Sequence, residues 1–158
     1  MLKYLGTLDT TCDIEEIAED AAYEYFSLGI YDHWLSEDEA RDEILSYSMT
    51  QDGDKKLSEY LTKEQEFIDF LIICFKNHRV LCFDCDQHYI FENEQEFEQL
   101  VRKMLREESR PIIHIVDLDI VIYGGFDLNC EVFSKNHKSI ESIRSYLVSY
   151  PSLFLLKG

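Results

Sequence analysis

Apolar positions over residues 13–28 recur at intervals of three and four: Ile14, Ile17, Ala18, Ala21, Ala22 and Tyr25. That spacing predicts an amphipathic helix, with Asp13 as its N-cap and Gly29 as its stop. Ser36 followed by Glu39 has the form of a capping box, and Ala40, Ile44 and Leu45 supply the apolar side of a second, shorter helix. After a break at Gln51 to Asp54, Leu57, Tyr60, Leu61, Phe67, Ile68, Leu71, Ile72 and Phe75 keep helical spacing. They predict a long third helix from about Lys56 to Asn77.

The period changes at Arg79. Val80 to Phe83 and His88 to Phe91 have the texture of two short strands forming a hairpin around Asp84 to Gln87. Asn93, with Glu96 three residues on, caps a helix whose inward face is Phe97, Leu100, Val101, Met104 and Leu105, and Pro111 marks its end. Ile112 to Val116 and Ile120 to Tyr123 are β-branched runs, either a tight hairpin or one long bent strand. Gly124 and Gly125 supply a turn or bulge, after which Phe126, Leu128, Cys130 and Val132 alternate with polar residues as in a half-exposed strand. Ser139 opens a last helix with Ile140, Ile143 and Leu147 inward, Pro151 ends it, and Leu153 to Leu156 offer a closing strand.

The predicted fold is therefore α+β: N-terminal helices followed by a mainly antiparallel sheet with two further helices packed on it. Leu71, Ile72, Phe75, Leu100, Val101, Ile115, Val121 and Leu147 are expected to share one core. With no linker, repeat or low-complexity stretch, residues 1–158 read as a single acidic domain. A hydrophobic fraction of 46% is enough for one sizeable core at this length. Ten Phe, ten Tyr and only two Pro place the acidity on a folded surface rather than a disordered tail.

Charge narrows the function. The net charge of −17 would repel nucleic acid and anionic membrane and favour a basic protein partner. It is also polarised: residues 1–66 hold 18 acidic and 5 basic side chains, and residues 67–158 hold 14 and 10. Between Lys3 and Arg41 there is no Lys or Arg, while Glu15, Glu16, Glu19, Asp20, Glu24, Asp32, Glu37 and Asp38 all fall in that interval. On the predicted first helix, like charges four apart, among them Asp20 and Glu24, cost a few tenths of a kcal/mol per pair (about 0.2–0.5). A solvated face explains solubility, but rows of carboxylates can also steer association with a basic groove, as nucleic-acid mimics do. Trp34, within the acidic region, is a candidate anchor.

Other chemistry carries less weight. Cys82, Cys85 and His88 match the opening of a zinc site, for which a fourth ligand would have to be a distant His78, His114 or Cys130. Alternation in Val80 to Phe83 would equally make Cys82 a core residue. Asp84/Asp86 and Asp117/Asp119 are Asp-x-Asp pairs of the kind that hold Mg²⁺, and also of the kind that caps turns. His114 in an apolar strand reads as a core histidine. No metal or other cofactor is expected. The N-terminus lacks the apolar stretch and cleavage site of a secretory signal, and the longest apolar run, Phe70 to Phe75, is too short to span a bilayer, so a cytoplasmic protein is expected. These readings lead to a non-catalytic, acidic inhibitor of a basic, nucleic-acid-acting protein, of the immunity-protein or phage anti-defence type. The alternatives are an adaptor or regulatory interaction module and, third, a metal-dependent hydrolase built on the Asp-x-Asp pairs.

Overall fold

The computed structural model describes residues 14–52, 54–84, 87–89, 91 and 93–158. The elements in chain order are α1 (Ile14–Glu19), β1 (Glu24–Gly29), α2 (Glu37–Glu43), α3 (Asp54–Asn77), β2 (Val80–Asp84), β3 (Gln87–Tyr89), α4 (Glu94–Leu105), β4 (Ile112–Ile115), β5 (Ile120–Gly124), β6 (Asn129–Ser134), α5 (His137–Leu147) and β7 (Phe154–Lys157). The strands form one sheet in the order β3-β2-β4-β5-β6-β1-β7, and each neighbouring pair is antiparallel. The fold is α+β, with α3, α4 and α5 packed on one face of that sheet.

Register explains the core. Cys82 stands opposite Ile113, Ile113 opposite Ile122, Ile122 opposite Val132, and Val132 opposite Phe26, so these side chains lie on one face. Phe67, Ile68 and Leu71 of α3, Val101 and Met104 of α4, and Ile140 and Ile143 of α5 close over that face. Ile112 to Val116 and Ile120 to Tyr123 form the tight hairpin rather than one bent strand, joined by a short 3-10 turn at Val116–Leu118 with Asp119 in the left-handed region. Val121 is a correction. It shows its side chain to the other face, where it packs with Ile17 and Phe133 instead of joining the main core.

The largest departure lies at residues 13–28. Asp13 is outside the described residues, α1 ends at Glu19, and Glu24 begins a strand. Asp20 makes the break: its carboxylate accepts the Ala22 N–H at 2.9 Å, and its carbonyl accepts the Tyr23 N–H at 2.9 Å, which closes a turn where a helix would have continued. Ala18, Ala21 and Ala22 are exposed, so only Ile14 and Ile17 hold α1 down. β1 then fills the slot between β6 and β7.

Smaller differences have local causes. Asn136 caps α5 by accepting the Lys138 N–H, which starts the helix two residues before Ser139. β6 begins only at Asn129, because Asp127 and Leu128 both take positive φ (56° and 53°) in the β5–β6 turn. Gly125 donates its N–H to the Asn129 carbonyl at 3.0 Å. A Cβ on Gly125 would lie 2.7 Å from that same oxygen, so the turn requires glycine there.

Candidate functional site

α1 and the stretch of residues 31–40 that follows β1 lie over the sheet face that α3, α4 and α5 leave uncovered. α1 reaches it through Ile17, against Val121 and Phe133. Glu15, Glu16 and Glu19 of α1, with Asp20 and Glu24 beyond it, are exposed, as are Asp32, Trp34, Glu37 and Asp38. Asp20 and Glu24 are not helical neighbours, so the like-charge pair expected between them is absent. Each instead meets a cation from the far end of the chain: Lys135 lies 3.2 Å from Asp20, and Lys157 lies 3.0 Å from Glu24. Asp38 meets Arg41 at 3.4 Å.

The second helix starts as the capping box predicts. Ser36 Oγ accepts the Glu39 N–H, and the Glu39 carboxylate accepts the Ser36 N–H at 2.9 Å. Those hydrogen bonds from Ser36, with a further one from His33, hold the Glu39 carboxyl at about 2. Asp32 and Glu39 flank the His33 ring at 2.7 and 3.3 Å and raise its pKa above the ordinary value. The helix thus positions a fixed, hydrogen-bonded cluster beside Trp34.

A cleft of about 330 Å³ opens between this segment and the sheet. Its floor follows from register: Ser27 stands opposite Glu131 on β6 and opposite Leu156 on β7, with Tyr25 two residues before it. Its walls carry Trp34, which is 53% exposed, and Phe126, which is 54% exposed. Asp127 and Glu131 add two carboxylates, and among the described residues neither has an ion-pair partner. Burial, reinforced by nearby Glu107, raises the Asp127 pKa above the usual carboxylate value. The cleft is concave, aromatic and anionic, which suits a cationic group.

The remaining candidates resolve differently. Cys82 is a core residue, and burial pushes its thiol up to about 12, which disfavours the thiolate a zinc site needs. Cys85 and Asp86 lie outside the described residues. Cys130 sits on β6, three strands from β2, or about 14 Å at the usual strand spacing. His78 is engaged with the Tyr146 hydroxyl at 3.0 Å. Asp117 accepts the Arg79 N–H at 2.7 Å, a long-range bond to the start of β2 rather than a bond within its own turn, and among the described residues no group of three metal-ligating side chains comes together.

His114 is buried, with Nδ1 lacking a hydrogen-bond partner among the described residues and Nε2 3.7 Å from Asp119. Burial lowers its pKa, and Arg79 lowers it further against the opposing pull of Asp119. The folded state therefore binds fewer protons than the unfolded state below about pH 6.5, so the stability this residue contributes is complete above that pH and is lost as pH falls. His33, with its raised pKa, works in the opposite sense. Urea midpoints at neutral and mildly acidic pH should show a loss on acidification that His114→Leu reduces; an unchanged pH dependence in that variant would contradict the assignment.

No helix among the described residues is long and apolar enough to cross a membrane. Comparison with protein-family models, with curated proteins and with solved structures finds no match.

Proposed function

We propose that this chain is a non-catalytic binding protein that docks its acidic face on a basic protein partner and blocks it, as an immunity protein or a nucleic-acid-mimicking inhibitor does. A nuclease or another nucleic-acid-binding enzyme is the partner class that presents such a groove. The observation that carries this reading is the exposure of Glu15, Glu16, Glu19, Asp32, Glu37 and Asp38 in the Ile14–Ile44 segment, which also lines part of a cleft whose own carboxylates, Asp127 and Glu131, carry no ion pair among the described residues. Such a surface raises the association rate with a cationic groove and disfavours other anions. The exposed aromatic rings of Trp34 and Phe126 favour a second reading, an adaptor that binds through apolar contact and is indifferent to salt.

The test is affinity capture from the native cells at low salt, followed by kinetics with the identified partner. Because Asp20 and Glu24 have structural partners, the informative variant is Glu16→Lys, Glu19→Lys and Glu37→Lys together. It should keep its stability within about 0.5 kcal/mol per site, as exposed substitutions do. Association should slow by about tenfold at low salt and lose much of its salt dependence. Unchanged kinetics in a folded variant would refute the acidic-face reading, and salt-independent binding of the wild type would favour the adaptor.

A further inference from the structure

The cleft is small and chemically specific. At about 330 Å³ it sits at the bottom of the range of ligand pockets, roughly 300–1,000 Å³, which is room for one long side chain rather than a helix or strand. Asp127 and Glu131 bring two carboxylates to a space walled by Trp34 and Phe126 and floored by Tyr25. Two cations at the cleft or against its wall are already engaged. His33 is held by Asp32 and Glu39, and the Arg110 guanidinium lies 4.4 Å over the Phe126 ring. Elsewhere the chain repeats that geometry, with Arg106 at 4.4 Å over Tyr47 and Lys135 at 4.3 Å over Tyr23.

We propose that this cleft receives an arginine side chain of the basic partner, its guanidinium stacked on the aromatic wall and hydrogen-bonded to Asp127 and Glu131. The inference rests on the preceding reading of the acidic face and names what that face recognises. Arginine fits better than lysine for three reasons: its planar group stacks on aromatic rings, its fork of N–H donors matches carboxylates, and it is more weakly hydrated than an ammonium. A cation arriving at Asp127 also compensates a carboxylate that burial leaves unfavourably charged.

Trp34 is the sole tryptophan, so its indole N–H resonance and its emission report on the cleft directly. The probe is a capped Gly-Ser-Arg-Ser-Gly peptide, compared with forms carrying lysine or uncharged citrulline at the centre. The arginine peptide should shift the Trp34 signals saturably, with affinity several-fold above the lysine form and about tenfold or more above citrulline. Asp127→Asn with Glu131→Gln should weaken it by about tenfold or more at unchanged melting temperature, since loss of a charge-assisted hydrogen bond costs at least that factor. Asn is chosen because it tolerates the positive φ at residue 127. The Glu16, Glu19 and Glu37 to Lys variant should still bind the peptide.

No saturable shift, an equal response to citrulline, or undiminished binding in the folded Asp127→Asn/Glu131→Gln variant would each overturn the proposal. The two readings fail separately. A silent cleft, with partner association still slowed by the lysine variant, removes the arginine site alone. A responsive cleft, with partner kinetics unchanged by the lysine variant, removes the acidic-face reading alone.

Discussion

Replacing Arg102 and Arg106 together by Met should destabilise the fold by about 5 kcal/mol, the upper end of what breaking a buried ion pair costs. Glu64 of α3 is 0% exposed, and both arginines of α4 converge on it. Arg106 donates through Nε to one carboxylate oxygen at 2.6 Å and through a terminal nitrogen to the other at 2.9 Å. Arg102 donates at 2.6 Å and also meets Glu98 at 2.8 Å. The carboxylate is thus satisfied by a bidentate and a single charge-assisted hydrogen bond, which is the condition under which a buried charge is tolerated. The Tyr60 hydroxyl, one turn earlier on α3, donates to the Leu105 carbonyl at 2.9 Å and fixes the same helix pair.

The cost should be asymmetric. The arginine side chains are 30% and 21% exposed and can turn toward water when Glu64 is removed, whereas Glu64 cannot reach solvent when they are. Glu64→Gln keeps the shape and two polar atoms, so it should cost about 1–3 kcal/mol, less than the double arginine variant. Denaturant midpoints for the three proteins measure this ordering. Equal costs, or a larger cost for Glu64→Gln, would mean that the pair contributes through packing rather than through compensation of a buried charge. The triad ties α3 to α4 on the helical side of the sheet, so folded variants should bind the partner as the wild type does.

Elements with one dominant signal were legible in the sequence. The capping box at Ser36, the Asn93 cap and the long apolar stripe of α3 each specify a helix locally, and the structure shows all three. The β-branched runs around Asp117 and Asp119 specify strands, and the positive φ at Asp119 decides for a hairpin. Residues 13–28 misled because two periods coexist there. Ile14 and Ile17 do lie on a helix, but Phe26, Ser27, Leu28 and Gly29 are all buried in a strand covered on both sides, which leaves no alternation to detect. The burial of β1 depends on its place between β6 and β7, a hundred or more residues away.

The same fact limits what could be read of the site. Exposure of the acidic side chains follows from local pattern. The cleft does not, because Tyr25, Glu131 and Leu156 become neighbours only when β1 enters the sheet. Asp127 and Glu131 carried one weak signal, their position just after the Gly124-Gly125 turn. Glu64 had a clearer one, since Tyr60, Glu64, Phe67 and Leu71 lie on one face of α3. A lone carboxylate on an apolar stripe calls for buried cations, and Arg102 and Arg106 are spaced one turn apart to supply them.

Leu28→Ala should cost about 2–5 kcal/mol, the range for a large-to-small change at a fully buried core position. Leu28 is 0% exposed, paired with Cys130 on one side and Leu155 on the other. Its side chain faces the helices, so its loss leaves a cavity between the sheet and the layer above it. A helix running through residue 28 would instead bury Ala18 and Ala21, which in the structure are exposed. The contrast is therefore a test of the topology as well as of packing. Ala18→Gln should change stability by less than about 0.5 kcal/mol, as an exposed helical substitution does. Loss of β1 would also separate β7 from β6 and remove Tyr25 and Ser27 from the cleft floor, so partial melting of the Leu28→Ala protein should abolish the Trp34 response to the arginine peptide before the α3–α4 pair unfolds. Unfolding curves followed by Trp34 emission and by helical circular dichroism compare the two. A small cost for Leu28→Ala together with a large one for Ala18→Gln would restore the helix and remove the cleft.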